Sequence, residues 1–332
     1  MIIESQFKPA WWLNNKHLQT IWQKIERRNL LCPVITEQLE LVDGDFLEIN
    51  WTEKPASNSN KPIIVVLHGL EGSVNSTYSK GMMNAIRDNG WVGLLLHFRS
   101  CGGKANRLPR AYHSGETGDL AYICQWLEQS YPCAPLAAVG FSLGANVLCK
   151  YTGETGYNNP FIASVAICPP LDLAQSCQYI QTGSSQIYQK YLLDMLLDNV
   201  ARKTQRINLH PYLKLTPEQF RSIKNLWQFD DLITAPLHGF KNAQDYYEQC
   251  SGKQFLKSVK KPLLIIHAQD DPFLSPKSIP SNDELAEAVT FELSKKGGHV
   301  GFISGSTLFK GHYWLEERSL NYLNQYLDPA TM

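Results

Sequence analysis

The chain has 332 residues, room for one large α/β domain with an insertion or for two ordinary domains. Its 31 Lys and Arg balance its 31 Asp and Glu, and no block of five like charges occurs, which argues against a nucleic-acid partner or a charged tail. The longest apolar runs, such as 63–67 and 263–266, are far short of the roughly twenty residues that cross a bilayer, so stable membrane insertion is not expected.

The first nine residues hold Glu4 and Pro9 instead of a basic stretch followed by an apolar one, unlike a secretion signal. Cysteines stand at 32, 101, 124, 133, 149, 168, 177 and 250, none in a Cys-x-x-Cys pair. They read as reduced thiols of a cytoplasmic protein.

Two alternating runs, 36–42 and 46–51, flank Asp43-Gly44 and predict a β-hairpin. The Ser- and Asn-rich stretch 55–62 predicts a surface loop. Continuous β-branched runs then predict strands buried on both faces at 63–67, 91–98, 136–141, 162–167 and 263–267. Helical patterns at 78–89, 116–129 and 143–152 lie between them. This alternation implies right-handed crossovers and a largely parallel sheet. It breaks from about 171 to 240, where 186–202 and 217–225 are helical and no strand is convincing, so a helical insertion is expected over the sheet. A helix at 312–326 closes the chain.

Gly140-Phe141-Ser142-Leu143-Gly144 matches Gly-x-Ser-x-Gly between a strand and a helix. The glycines let strand and helix approach closely, leaving the Ser142 hydroxyl exposed at a helix N-terminus. A serine attacks only when a base takes its proton and a carboxylate orients that base. Ser142, Asp271 and His299 follow in the chain order this arrangement requires, with His299 in the loop Gly297-Gly298-His299-Val300-Gly301. Asp271 is favoured as the acid because it lies three residues beyond Ala268 and just before Pro272; Asp270 is the alternative. The Leu143 amide, at the helix start, and the Leu70 amide, in His68-Gly69-Leu70-Glu71-Gly72-Ser73, are the candidate oxyanion donors. His68 reads as a loop-shaping residue. No His-Glu-x-x-His, no Gly-x-Gly-x-x-Gly after a strand and no phosphate-binding Gly-Lys-Ser/Thr loop occurs, so no metal and no cofactor is expected.

On these residues the chain resembles the YheT-type branch of the α/β hydrolases, a family with bacterial, plant and animal members. The resemblance also runs through Ala10 to Thr20, His97-Phe98-Arg99-Ser100-Cys101-Gly102-Gly103, Asn106-Arg107, Tyr112-His113-Ser114-Gly115-Glu116-Thr117 and Phe229-Asp230-Asp231. Two departures stand out: Ala145 and Ser100 occupy positions where such proteins often have glycine. The resemblance implies an α/β-hydrolase fold with a mostly parallel, eight-stranded sheet. The core would be about 30–170 and 241–332, the helical cap about 171–240, and residues 1–29 would pack on the core.

It further implies hydrolysis of small carboxylic esters with short to medium acyl chains, lipid esters being a further candidate class, through a Ser142-His299-Asp271 triad and an acyl-enzyme. An acyltransferase or thioesterase on the same triad is the alternative, and a non-catalytic binding protein is a third. It also draws attention to His17, Arg99, Arg107, His113 and Asp231. Of these, Arg99, Arg107 and His113 are candidate substrate contacts, arginine suiting carboxylate or phosphate groups; ties between loops are the alternative role. The apolar stripe of the insertion, with Tyr188, Tyr191, Leu192, Leu193, Met195, Leu196, Leu197 and Trp227, either packs the cap on the core or lines an acyl pocket.

Overall fold

The protein is described by a computed structural model covering residues 1–213 and 215–327. The expected C-terminal bound, 332, lies outside the described residues. The strands are β1 (Ile2–Glu4), β2 (Ile35–Glu40), β3 (Phe46–Trp51), β4 (Ile63–Leu67), β5 (Val92–Leu96), β6 (Leu136–Phe141), β7 (Ala163–Ile167), β8 (Leu263–Ala268), β9 (Val289–Ser294) and the short pair β10 (Ile303–Ser304) and β11 (His312–Tyr313). The helices are α1 (Lys16–Glu26), α2 (Thr77–Asp88), α3 (Gly118–Ser130), α4 (Leu143–Thr155), α5 (Leu173–Tyr179), α6 (Gln186–Thr204), α7 (Pro217–Ser222), α8 (Leu226–Phe229), α9 (Ala235–His238), α10 (Ala243–Cys250) and α11 (Trp314–Leu327).

The main sheet runs β1-β9-β8-β7-β6-β4-β5-β3-β2. It is parallel from β1 to β5 and antiparallel at β5/β3 and β3/β2. The β2–β3 hairpin closes with Glu40 opposite Phe46, and Gly44 takes the left-handed backbone (φ 84°) that the turn demands. This is an α/β-hydrolase fold with one correction: the sheet has nine strands, not eight. The extra one is β1, whose Ile2, Ile3 and Glu4 pair in parallel with Phe291, Glu292 and Leu293. A three-residue strand carries too little pattern to be read from sequence; it exists because the edge of β9 offers unpaired backbone groups.

Both faces of the central strands are buried, which is why they lack polar alternation. Ile64 and Val66 point into a core with Met82, Met83 and Ile86 of α2 and Leu315 and Leu323 of α11. Ile63, Val65 and Leu67 point the other way, toward Leu120, Ile123 and Leu127 of α3 and Val147 and Leu148 of α4. Between β7 and β8 the described residues form helices α5 to α10 and no strand. Within that run α8 passes into α9 through a π-helical turn, Asp230–Thr234. All eight cysteines are free thiols; Cys133, in the turn before β6, is exposed, while the others are buried or half-buried.

Candidate active site

The site lies at the carboxyl ends of β4, β6, β8 and β9, where open α/β sheets place their ligands. Ser142 is the hinge between β6 and α4, with φ 51° and ψ −116°, a backbone that a non-glycine residue holds only under constraint. The constraint is visible in its neighbours. A Cβ on Gly140 would come within 2.6 Å of the Gly144 carbonyl oxygen, and one on Gly144 within 2.5 Å of the His68 carbonyl oxygen. Ala145 is fully buried in the adjacent core and disturbs nothing.

The Ser142 hydroxyl donates to His299 Nε2 at 2.9 Å, and His299 Nδ1 donates to Asp271 Oδ2 at 2.7 Å. Asp271 is 1% exposed, and its other oxygen accepts the Phe273 amide at 2.7 Å. Asp270 instead accepts the Gly298 amide at 3.0 Å and so shapes the turn before the histidine. The Phe273 ring stacks on the His299 imidazole, centroids 4.1 Å apart and planes 7° from parallel. Cys168 Sγ is also within 4.8 Å of the Asp271 and His299 ligand atoms. Those two spend their facing atoms on each other, and burial beside Asp271 holds the thiol protonated, so the trio is a poor metal donor set.

The two candidate oxyanion amides belong to segments that lie beside this serine. Leu143 is the first residue of α4, so its N–H has no intrahelical acceptor. In the loop after β4, Gly69 donates to Tyr78 OH (2.9 Å), Glu71 to Tyr112 OH (2.8 Å) and Gly72 to the Gly69 carbonyl (3.0 Å). Among the described residues the Leu70 amide between them has no acceptor. Gly69 brings the loop close: a Cβ there would sit 3.3 Å from Ser142 Cβ. His68 is fixed by Nδ1 donating to the Gly69 carbonyl (2.7 Å) and Nε2 accepting the Phe98 amide (3.1 Å); burial pushes its pKa down to about 3. It is a neutral scaffold of the loop.

Above the serine is a cavity of about 590 Å³. Leu192, Met195, Leu196 and Val200 of α6, with Phe229 and Ile233, form much of its apolar wall. Of the residues lining it, Lys24, Asn75 and Tyr191 are exposed, so its mouth lies between α1, the loop before α2, and α6. Lys24 Nζ sits 4.7 Å from the centre of the Tyr191 ring. At its far end α6 is tied down by Lys203, whose ammonium donates to the carbonyls of Leu108, Pro109 and Arg110 (2.9, 3.1 and 2.6 Å).

The candidate substrate contacts divide. His113 lines the cavity; its Nδ1 accepts the Gly115 amide at 3.2 Å, and burial lowers its pKa to about 3, so it is a neutral wall residue. Arg99 and Arg107 are not among the residues lining it. Arg99 is 3% exposed and spent on Asp119 (2.8 and 2.8 Å), Asp43 (2.7 Å) and Asp45 (3.4 Å). Arg107 lies on the surface, bonded to Glu40 (2.9 Å) and the Gly44 carbonyl (3.0 Å). His17 joins α1 to α6 and the turn before it through Tyr188 OH (3.1 Å) and Ser184 Oγ (3.0 Å), and Asp231 accepts the Ala243 amide (2.9 Å). Both are ties between segments.

Sequence reasoning missed the support of the histidine loop. Thr20 Oγ1 accepts the His299 amide (3.0 Å), Gln23 donates to the Val300 carbonyl (2.9 Å), and Gln19 donates to the Ile303 carbonyl (2.9 Å) and accepts its amide (2.7 Å). A Cβ on Gly298 or Gly301 would come within 2.5 Å of the Lys16 or Gln19 carbonyl oxygen. The density of glycine in 297–301 was the available signal: a loop that must lie flush against another backbone.

The fold and this hydrogen-bonded serine, histidine and aspartate define the class as α/β hydrolase. Residues 62–306 match the family described as "alpha/beta hydrolase fold". The chain is 42% identical, over 98% of its length and 95% of the relative's, to the Escherichia coli protein named "Putative esterase YheT". It is 28% identical, over 84% of its length and 63% of the relative's, to a "Monoacylglycerol lipase" of Saccharomyces cerevisiae, and 26% identical, over 86% and 73%, to "Phospholipase ABHD3" of Mus musculus. Among solved structures, the esterase Pf2001 of Pyrococcus furiosus superposes with a TM-score of 0.58 at 19% identity, covering 91% of this chain and 93% of that one. The chain belongs to the α/β-hydrolase family, in its YheT-type branch.

Proposed function

We propose that the protein hydrolyses carboxylic esters of small, largely apolar acyl groups through an acyl-enzyme on Ser142. The observation that carries this reading is the unbroken Ser142–His299–Asp271 line of 2.9 and 2.7 Å at the floor of the cavity. His299 takes the proton of Ser142 Oγ as that oxygen bonds to the ester carbonyl carbon. Asp271 keeps the imidazole in the required tautomer and stabilises the imidazolium. The carbonyl oxygen, now an anion, receives the Leu70 and Leu143 amides. Collapse of the tetrahedral intermediate breaks the bond to the alcohol, which leaves with the proton from His299. Water, deprotonated by the same histidine, then releases the acid and restores Ser142.

The apolar wall from α6 and the Asp230–Thr234 turn favours an aliphatic chain, and the helices between β7 and β8 would select its length. The names of the relatives point to esters, monoacylglycerols and phospholipids among substrates of the family. Among the described residues no helix is long and apolar enough to cross a membrane. A fluorophosphonate probe should label the wild type and not Ser142→Ala, and a series of p-nitrophenyl esters should give a chain-length optimum. A wild type that takes no label and cleaves no ester of the series would overturn the reading.

A further inference from the structure

Three of the sequence stretches that carry the family resemblance, 68–73, 97–103 and 112–117, meet at a side chain for which the proposed reaction has no use. Glu71 follows Leu70 and holds a left-handed backbone, φ 50°. Its amide donates to Tyr112 OH (2.8 Å), and that hydroxyl donates back to Glu71 Oε1 (2.9 Å). From cap helix α6, Asn199 Nδ2 lies 3.2 and 3.0 Å from the two carboxylate oxygens and 3.2 Å from the Ser100 carbonyl. Tyr112 in turn stacks on Phe98 at 5.4 Å, and Phe98 meets the His68 ring edge to face at 4.7 Å.

Glycine is the default residue for such a backbone. A side chain persists there when its own contacts over-determine the conformation. Those contacts bracket the Leu70 amide. On the near side the Gly69 carbonyl is pinned by His68 Nδ1 (2.7 Å) and the Gly72 amide (3.0 Å). Because the peptide is trans and planar, this aims the Leu70 N–H the opposite way. On the far side the adjoining residue, Glu71, is held through Tyr112, and the loop beyond it is fixed by the Ser73 and Val74 amides donating to Ser76 Oγ (3.1 Å) and His97 Nε2 (3.1 Å).

We propose that Glu71 is a positioning residue, holding the Leu70 amide in its oxyanion-accepting orientation through Tyr112 and tying it to α6 through Asn199. This rests on the hydrolase reading above. Its consequence is that the helix forming the acyl wall and the donor at the reacting carbonyl share one carboxylate. The cap thereby contributes to the rate as well as to binding.

The test uses Glu71→Gln, Glu71→Gly, Tyr112→Phe and the double variant Glu71→Gln/Tyr112→Phe, each assayed on short- and medium-chain p-nitrophenyl esters with kcat and KM separated. Melting temperature and the fraction of Ser142 labelled by fluorophosphonate at saturation report folding. Loss of one oxyanion donor costs about 10²–10³ in kcat, so a displaced one should cost about tenfold to a hundredfold with KM nearly unchanged. The double variant should be little worse than the poorer single one, because the two side chains act as a unit. Glu71→Gly is decisive: relief of the left-handed backbone should preserve or raise the melting temperature while kcat still falls. A merely structural glutamate predicts a lower melting temperature with full kcat. If the wild type labels and turns over while well-folded Glu71→Gly and Glu71→Gln match its kcat, this inference alone is overturned. If the wild type does neither, the hydrolase reading falls and the inference with it.

Discussion

Asp270 and Asp271 show how neighbouring carboxylates take different work. Asp271 points at the imidazole, whereas Asp270 receives a backbone amide of the histidine loop. Asp271→Asn should lower kcat by about 10⁴ by favouring the wrong tautomer. Asp270→Asn keeps a carbonyl oxygen for Gly298 and should retain most of the rate. Steady-state kinetics on one ester decides the pair, and the reverse order of effects would reassign the acid. Arg99 is a second case. Arg99→Met strands Asp119 and Asp45 as buried charges and should cost about 3–5 kcal/mol in urea unfolding, while KM for anionic and neutral esters stays level. A selective rise in KM for anionic esters would restore Arg99 as a substrate contact. Family resemblance pointed to Arg99, but only its side-chain partners separate a substrate clamp from a loop tie. Ser100 carries φ 74°, and its hydroxyl has no partner among the described residues. Ser100→Gly should therefore add about 1 kcal/mol of stability, read as a higher melting temperature.

At the scale of elements, the parallel strands and their helices were readable because burial on both faces and amphipathic periodicity leave distinct patterns. The elbow was readable because the crowding around Gly140 and Gly144 admits no other residue. Several elements were not, among them β1 and a π-helical turn. β1 is fixed by the edge it joins, and the π-helical turn Asp230–Thr234 is fixed by packing in the cap, with Pro236 just beyond it. That turn puts the Asp230 carboxyl on the cavity wall, where Thr234 Oγ1 (2.7 Å) and Tyr247 OH (2.6 Å) donate to it and burial raises its pKa to about 6. Between the ordinary aspartate pKa and about 6 the folded protein holds a proton that the unfolded chain has lost. This contribution to stability therefore diminishes as the pH rises through that window and is gone above it. The difference in unfolding free energy between wild type and Asp230→Asn should shift against the wild type from pH 4 to pH 7. A pH-independent difference would show that the carboxyl is not perturbed.

For the molecule as a whole, the N-terminal segment and the helices between β7 and β8 meet over the site from distant parts of the chain. α1 seats the histidine loop and borders the cavity mouth, while α6 supplies the acyl wall and the opposite border. Phe7, 6% exposed and packed on Phe302 (5.0 Å) and Trp314 (5.4 Å), anchors the first of these to the core. Phe7→Ala should cost about 3–5 kcal/mol by the usual price of a buried aromatic. Because the same segment carries β1, activity should fade before global unfolding as urea is raised. Coincident loss of both signals would mean that the segment does not move independently of the core.

The distribution of thiols has a practical corollary. Cys133 is exposed in the turn before β6, and Ser142 directly follows the same strand. The two are separated by about 20 Å, the run of six strand residues at about 3.3 Å each. Several of the other thiols, Cys149 and Cys168 among them, are buried with pKa values driven upward, so they should be slow toward maleimides. A single dye or surface tether could thus be installed at the end of the sheet remote from the catalytic serine, leaving the cavity mouth open to solution.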